Sequence, residues 1–171
     1  MAMSLTDLQK KRRLASEYRD VLKIPITNAM RIKVVPNGKP VEETRTYLVT
    51  YNIETRVKKD DKIVPQYRTV VRFDLGPDFP ASAPTVTIVE GLVPWHVNWY
   101  TSGRLCPGNM WHQDPFLYKF LIKVGKTISF SPEYTNPGSP ANSGARQYWT
   151  DTLKKFPLAD IHKLPSEKGK L

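Results

Sequence analysis

The residues whose types and spacing suit chemistry lie around the only cysteine of the sequence, Cys106. Asn98 stands eight residues before it, and Gly103 and Arg104 lie between the two. A cysteine thiolate can accept an acyl group as a thioester, and a side-chain amide such as that of Asn98 can donate a hydrogen bond to the oxyanion formed when this ester is attacked. The pair therefore predicts acyl transfer, with Cys106 as the nucleophile and Asn98 as the oxyanion donor.

Other interpretations of the same cysteine have to be weighed. A lone cysteine is most often a small buried apolar residue, but the glycines and prolines of residues 103–108 are typical of a surface loop, where a thiol is reachable. A cysteine hydrolase would need a histidine oriented against the thiol, and His96 and His112 are the nearest along the chain. One cysteine with three scattered histidines lacks the paired ligand spacing of a zinc site, so no metal is predicted.

A series of motifs resembles the core of the ubiquitin-conjugating enzymes in order and spacing: Pro80-x-x-x-Pro84, His96-x-Asn98, Gly103-x-x-Cys106, a tryptophan, and Asn136-Pro137-x-x-Pro140. The resemblance covers residues 5–155 and implies one catalytic domain over residues 1–157. It implies that Cys106 accepts a ubiquitin-like protein as a thioester from an activating enzyme and passes it to an amine acceptor. It implies no cofactor, because the activating enzyme would use the ATP.

The resemblance also assigns supporting roles to other residues. His96 is similar to a family histidine that holds the active-site loop, and Gly103, Arg104 and Ser139 fall in the supporting positions of that loop. The basic cluster on the first helix falls where the resembling enzymes contact their activating enzyme, and it comprises Lys10, Lys11, Arg12 and Arg13. The resemblance thus implies a docking surface for an acidic protein partner.

The sequence departs from the family in several places. Val97 stands where the motif normally has proline, and neither Gly138 nor Ser139 is charged where many members carry an acid that orients the incoming lysine. Asp114, Glu133 or another acid replaces it, or a partner supplies the group, or the acceptor is not an ordinary lysine. With these departures the chain resembles a divergent family member, similar to the conjugating-enzyme-like proteins of some bacterial ubiquitin-like operons. That resemblance implies a role in an antiphage pathway.

Hydrophobic periodicity predicts an α/β (α+β) fold that begins with a helix and a sheet. An amphipathic helix is expected from a capping box at residues 4–7 to just before Pro25, with Leu5, Leu8, Ala15, Tyr18 and Leu22 on its apolar face. Alternating apolar residues predict a four-stranded antiparallel meander over residues 30–34, 47–53, 67–75 and 86–88, with turns near Asn37 and at residues 59–61.

The second half of the chain predicts the active-site loop and two helices, in a shortened C-terminal helical region. Asp114 and Pro115 have the form of an N-cap followed by proline, and the apolar face of the central helix would be Leu117, Phe120, Leu121, Val124 and Ile128. A last helix is expected over residues 145–152, ended by Pro157. The basic residues 158–171 predict a flexible tail.

Composition limits the remaining functions. The net charge of +10 is compatible with nucleic acid, but the basic residues concentrate at the two ends and no nucleic-acid-binding motif is found, so nucleic acid is not the predicted partner. A single cysteine and the lack of any apolar run of about 18 residues predict a cytoplasmic protein that does not span a membrane. A non-catalytic binding module with the same fold is the alternative to an enzyme.

Overall fold

The computed structural model describes residues 5–167 as three α-helices and six β-strands. The helices are α1 (Leu5–Leu22), α2 (Leu117–Ile128) and α3 (Ala145–Thr152). The strands are β1 (Met30–Val34), β2 (Thr46–Tyr51), β3 (Thr55–Lys59), β4 (Lys62–Gln66), β5 (Thr69–Asp74) and β6 (Thr85–Glu90). Short 3-10 helices occupy Val41–Glu43, Pro132–Tyr134, Leu153–Lys155 and Ala159–Lys163.

The predicted four-stranded antiparallel meander is confirmed. The strands lie in the order β1-β2-β5-β6, and each neighbouring pair is antiparallel. Alternation along β2 turns Tyr47, Val49 and Tyr51 into the core, where each is fully buried. These residues are covered by α1 and α2, so one face of the sheet is packed and the other faces solvent.

A separate hairpin of β3 and β4 lies between β2 and β5, and the sequence analysis missed it. Residues 59–61 were predicted as a turn between strands of the meander. Instead, Lys59 pairs with Lys62, and Asp60 and Asp61 form a two-residue turn with φ of 48° and 59°. A two-residue hairpin turn of type I′ needs positive φ at both central residues, which usually calls for Asn-Gly or Asp-Gly. The Asp-Asp pair lacks that glycine, so the hairpin signal is weak.

The buried face of α1 differs from the predicted one. Leu8 and Leu22 are 37% and 58% exposed, whereas Leu14, Glu17 and Val21 are buried. The pattern was misread because a glutamate stands in the middle of the buried stripe, and charged residues normally mark the solvent side. Ser4, the expected capping residue, lies outside the described residues.

The buried glutamate has a partner at the start of α2. Glu17 Oε2 accepts a hydrogen bond from the backbone N–H of Leu117 at 2.8 Å, and Oε1 lies 2.6 Å from the Arg13 guanidinium. The N-cap position of α2 is Phe116 rather than the predicted Asp114, whose carboxylate instead pairs with Lys119 at 2.6 Å. A carboxylate 100 residues away thus satisfies a free N–H of the central helix.

Replacing Glu17 with alanine should lower the free energy of unfolding by about 2–3 kcal/mol, because it leaves the Leu117 N–H buried without an acceptor. Denaturant unfolding followed by circular dichroism measures this. Two controls isolate the cap: Glu17→Gln keeps an acceptor and should cost less, and Asp20→Ala removes an exposed ion pair with Lys23 at almost no cost. Equal losses for Ala and Gln at position 17 would contradict the capping role.

The predicted apolar face of α2 is confirmed, since all five of its residues are fully buried. Gly125 on the same helix allows a close approach: a Cβ added there would lie 2.8 Å from Tyr51 Cε1 and 3.1 Å from Leu164 Cδ2. The Tyr51 hydroxyl donates to the Leu121 carbonyl at 2.6 Å. The glycine therefore lets β2 and the C-terminal segment pack against the helix backbone.

Residues 158–167, expected as part of a flexible tail, pack onto the fold in the structure. The 3-10 helix Ala159–Lys163 places Leu158, Ile161 and Leu164 three residues apart, which is the repeat of such a helix, and both leucines are buried. The composition of this segment, rich in lysine and proline, predicts a tail, but it says nothing of the three-residue spacing. Residues 168–171 lie outside the described part of the chain.

The last predicted helix is confirmed as α3, and its residues belong to an aromatic cluster. Trp149 stacks near Phe156, with ring centroids 5.1 Å apart, and Phe130 stacks on Phe156 at 4.7 Å. The His96 and Phe130 rings meet in a T-shaped arrangement, with centroids 4.9 Å apart. This cluster gives the loop that carries His96 and Asn98 a rigid support.

Candidate active site

The segment before Cys106 is attached to the free edge of the sheet. Ile88 donates its N–H to the Gly103 carbonyl at 2.8 Å, and Leu105 donates to the Val86 carbonyl at 3.0 Å. Gly103 has φ of +92°, a left-handed conformation that favours glycine, so it provides the turn that leads into this pairing. The position of Cys106 is therefore set by β6.

Asn98 lies directly opposite Cys106 in a short antiparallel ladder. The N–H of Cys106 donates to the Asn98 carbonyl at 2.8 Å, and Trp99 pairs with Leu105 one step along. Opposed residues of an antiparallel pair project to the same face, with Cβ atoms about 4.5–5.5 Å apart. Trp99 and Leu105 are buried on the other face, whereas Cys106 is only partly buried. The thiol and the amide thus share the outer face of the ladder, on which Cys106 is partly exposed and Asn98 is 7% exposed.

The Asn98 side chain is held by the segment after α2. Its Nδ2 donates to the Tyr134 carbonyl at 2.9 Å, and its Oδ1 accepts the Asn136 N–H at 3.1 Å. Among the described residues, no second acceptor engages the other N–H of this amide. The amide therefore orders the loop and keeps one N–H available.

A groove of about 310 Å³ lies beside the residues that follow Cys106 and includes Asn98 in its lining. One wall is formed by residues just after Cys106 and the other by the segment after α2: Pro107, Gly108, Asn109, Met110 and Gln113, facing Glu133, Tyr134, Thr135 and Asn136. Two larger hollows of about 460 Å³ each lie away from Cys106, at the β3–β4 hairpin and at the end of α1. The groove is smaller, but its lining includes Asn98 and the residues that directly follow Cys106.

His96 is a fully buried anchor of this loop. Its Nδ1 accepts the Asn98 N–H at 3.0 Å, so Nε2 carries the proton and donates to Thr135 Oγ1 at 3.1 Å, and that hydroxyl donates to the Ser131 carbonyl at 2.6 Å. Burial lowers the pKa of His96 from 6.5 to about 3. The imidazole is therefore neutral with both nitrogens engaged, which leaves no nitrogen to deprotonate Cys106.

His96 should make the protein acid-sensitive below pH 6.5. In the unfolded chain the imidazole takes up a proton near pH 6.5, whereas the folded protein resists it to about pH 3, so stability falls as the pH drops between these values. The slope is about 1.4 kcal/mol per pH unit, or about 2 kcal/mol between pH 6.5 and 5. Urea unfolding at several pH values measures it.

The matched control for this slope is a histidine on the surface. His112 is exposed, so His112→Gln should keep the acid sensitivity of the unaltered protein, whereas His96→Gln should flatten the slope even though it loses packing. An unchanged slope in His96→Gln would refute the assignment.

The other expected loop residues lie at the surface. Arg104 is exposed and shares the outer face of the ladder with Cys106. Ser139 is exposed in the turn at residues 137–139, and no described hydrogen bond links it to Cys106 or Asn98. The end of this turn is fixed by Ala141, whose N–H donates to the carbonyl of the fully buried Val97 at 2.7 Å.

The basic cluster on α1 divides into two parts. Arg13 is engaged with Glu17 and the Pro115 carbonyl, and its guanidinium lies 5.4 Å from the centre of the Phe116 ring. Lys10 and Lys11 line a hollow with Lys39 and Arg45, where Lys11 pairs with Glu43 at 2.8 Å. Arg12 is exposed. The structure therefore leaves three of the four cations facing solvent.

Sequence reasoning did not find the wall of the groove formed by Tyr134 and Thr135. Both contact the His96–Asn98 loop across about 36 to 39 positions of sequence, through one backbone carbonyl and one hydroxyl. No motif marks such contacts, because a carbonyl acceptor is independent of side-chain type. Glu133, one of the acids expected from the sequence to replace the family's acidic residue, lines the groove.

The described residues contain no helix long and apolar enough to cross a bilayer and no group of three or more potential ligands arranged for a metal ion.

No protein-family model and no curated protein sequence matches the chain. The solved structure of S. cerevisiae Ubc12 is similar to it, with a TM-score of 0.55 at 16% identity over 92% of this chain and 89% of that chain. The fold is therefore of the ubiquitin-conjugating-enzyme type, as the motif series implied.

Proposed function

We propose that this protein is a conjugating enzyme for a ubiquitin-like protein. The observation that carries the proposal is the register that sets the partly exposed Cys106 opposite Asn98, beside a groove, on a fold of this type. A thiol sealed in the core or an asparagine on another face would favour the non-catalytic binding module. The further expectations, a cytoplasmic location and a bacterial operon with an antiphage role, belong to the same proposal.

The reaction proceeds in two exchanges at one sulfur. The Cys106 thiolate attacks the thioester carbonyl at the C-terminus of the ubiquitin-like protein, a new C–S bond forms, and the thiolate of the activating enzyme leaves. An acceptor amine then attacks the carbonyl on Cys106, the Cys106 thiolate leaves, and the amine loses a proton. In the second step the free N–H of Asn98 faces the oxyanion. Neither exchange needs a metal or a cofactor.

The incoming amine must lose a proton, and the groove contains one acid suited to this step. Of the two acids named from the sequence, Glu133 lines the groove beside Asn98, whereas Asp114 is engaged in an ion pair with Lys119. Glu133 therefore takes the place of the family's acidic residue in this proposal.

The activating enzyme is proposed to dock on the exposed part of the basic cluster, Lys10, Lys11 and Arg12, next to Lys39 and Arg45. The partner surface would be acidic, and this contact should weaken with rising salt because exposed charges are screened. Arg13 contributes through the fold, since it holds α1 against the start of α2.

The experiment uses two acyl donors. The protein is incubated with ubiquitin carrying a small-molecule thioester at its C-terminus, and separately with a candidate ubiquitin-like protein, its activating enzyme and ATP. A non-reducing gel should show an adduct that a reducing thiol removes, and peptide mass spectrometry should place it on Cys106. A thiol that reacts with iodoacetamide but exchanges with neither donor would contradict the proposal.

A further inference from the structure

A buried carboxylate near the C-terminus lies behind one wall of the groove. Glu167 is 5% exposed, and its Oε1 accepts a hydrogen bond from the Tyr134 hydroxyl at 2.8 Å. Its other oxygen, Oε2, is ion-paired with Lys126 of α2. The segment that ends at Glu167 is fixed by Leu164, which packs against Gly125 of the same helix. We call residues 164–167 the C-terminal strap.

The charges keep this contact ionised at neutral pH. Burial acts to raise the pKa of Glu167, but the ammonium of Lys126 and the hydrogen bond from the Tyr134 hydroxyl outweigh it and hold the pKa below its ordinary value. The ammonium of Lys126 also lies 5.8 Å from the centre of the Tyr134 ring. A charged acceptor makes the stronger kind of hydrogen bond, so the Tyr134 side chain is held at its hydroxyl and over its ring.

Tyr134 connects the strap to the candidate oxyanion donor. Its carbonyl is the acceptor for Asn98 Nδ2 at 2.9 Å, and the amide of Asn98 is planar, so the direction of one N–H determines the direction of the other. A shift of the Tyr134 backbone would therefore turn the free N–H away from the carbonyl oxygen of an acyl group carried by Cys106.

We propose that Glu167 is a positioning residue: through Tyr134 it orients the Asn98 amide, so the C-terminal strap governs how fast an acyl group leaves Cys106 but not whether Cys106 is loaded. The part concerning acyl release rests on the function proposed above. The orientation of the amide does not, and it can be tested without any acyl donor.

The first test follows the side-chain amide of Asn98 by ¹H–¹⁵N NMR on the full chain. Glu167→Ala and Tyr134→Phe should each shift this resonance pair and speed its exchange with water, and the double variant should show no larger change than either alone. Asp160→Asn is the matched control, because this carboxylate lies in the same C-terminal region but bonds to Glu54 and Lys163. An unchanged Asn98 pair in both Glu167→Ala and Tyr134→Phe would overturn the inference.

The second test measures release of ubiquitin from Cys106 to free lysine after loading from the small-molecule thioester. Glu167→Ala should load normally and release about tenfold more slowly, which corresponds to about 1.4 kcal/mol, and Asp160→Asn should match the unaltered protein. If the Asn98 resonances move but release does not slow, the oxyanion role fails while the positioning stands. If neither ubiquitin nor the candidate ubiquitin-like protein loads, the proposed function fails and the spectra alone decide the inference.

Discussion

Replacing Cys106 with alanine should abolish the adduct with the ubiquitin-like protein, and replacing it with serine should give an adduct that resists reducing thiols. Alanine removes the only thiol of the chain, so no thioester can form. A serine hydroxyl can accept the same acyl group, but the product is an oxygen ester, which thiols do not cleave readily. The measurement is a gel run with and without reductant after incubation with activating enzyme, ATP and the ubiquitin-like protein.

Both variants should fold as the unaltered protein does. Cys106 is only partly buried at the end of the ladder, and its described hydrogen bond uses the backbone N–H, which both variants keep. Thermal unfolding checks this. An adduct that persists in Cys106→Ala would mean that another residue carries the acyl group.

Replacing Asn98 with alanine should leave loading of Cys106 measurable and slow release to lysine by about 10²–10³-fold, the cost expected for one oxyanion donor. The structure adds a second effect, because the same amide bonds to Tyr134 and Asn136 and its loss also loosens that wall of the groove. Single-turnover release from preloaded protein measures the rate without interference from loading.

A control separates the oxyanion role from the loop role. Thr135→Val removes the hydroxyl that links His96 to the Ser131 carbonyl, yet it leaves both N–H groups of Asn98 in place. It should therefore weaken the loop with a much smaller effect on release than Asn98→Ala. Equal rates in the two variants would assign Asn98 to loop order alone.

Much of the architecture was predictable because it is written in local periodicity. The alternation in β1, β2, β5 and β6 and the apolar face of α2 follow directly from which side chains must be buried. The hairpin of β3 and β4 was not predicted, because Asp60 and Asp61 adopt positive φ without glycine. The buried face of α1 escaped because Glu17 is buried as the cap of another helix.

The candidate site divides in the same way. The types and order of Cys106, Asn98 and His96 could be recognised in the sequence, because their chemistry resides in the side chains themselves. Their mutual register, the neutral state of His96 and the connection from Glu167 to Asn98 could not, since they depend on backbone carbonyls and on residues 30 or more positions away.

The sequence by itself determined which residue types could do chemistry and most of the strands and helices of the fold, since residue type and local repeat are properties of the chain alone. Only the tertiary structure decided which oxygen and nitrogen atoms face each other across the groove, that Glu133 rather than Asp114 lines it, and that Glu167 supports its Tyr134 wall. The physical reason is that hydrogen bonds and burial depend on distances in space, and long-range packing sets those distances.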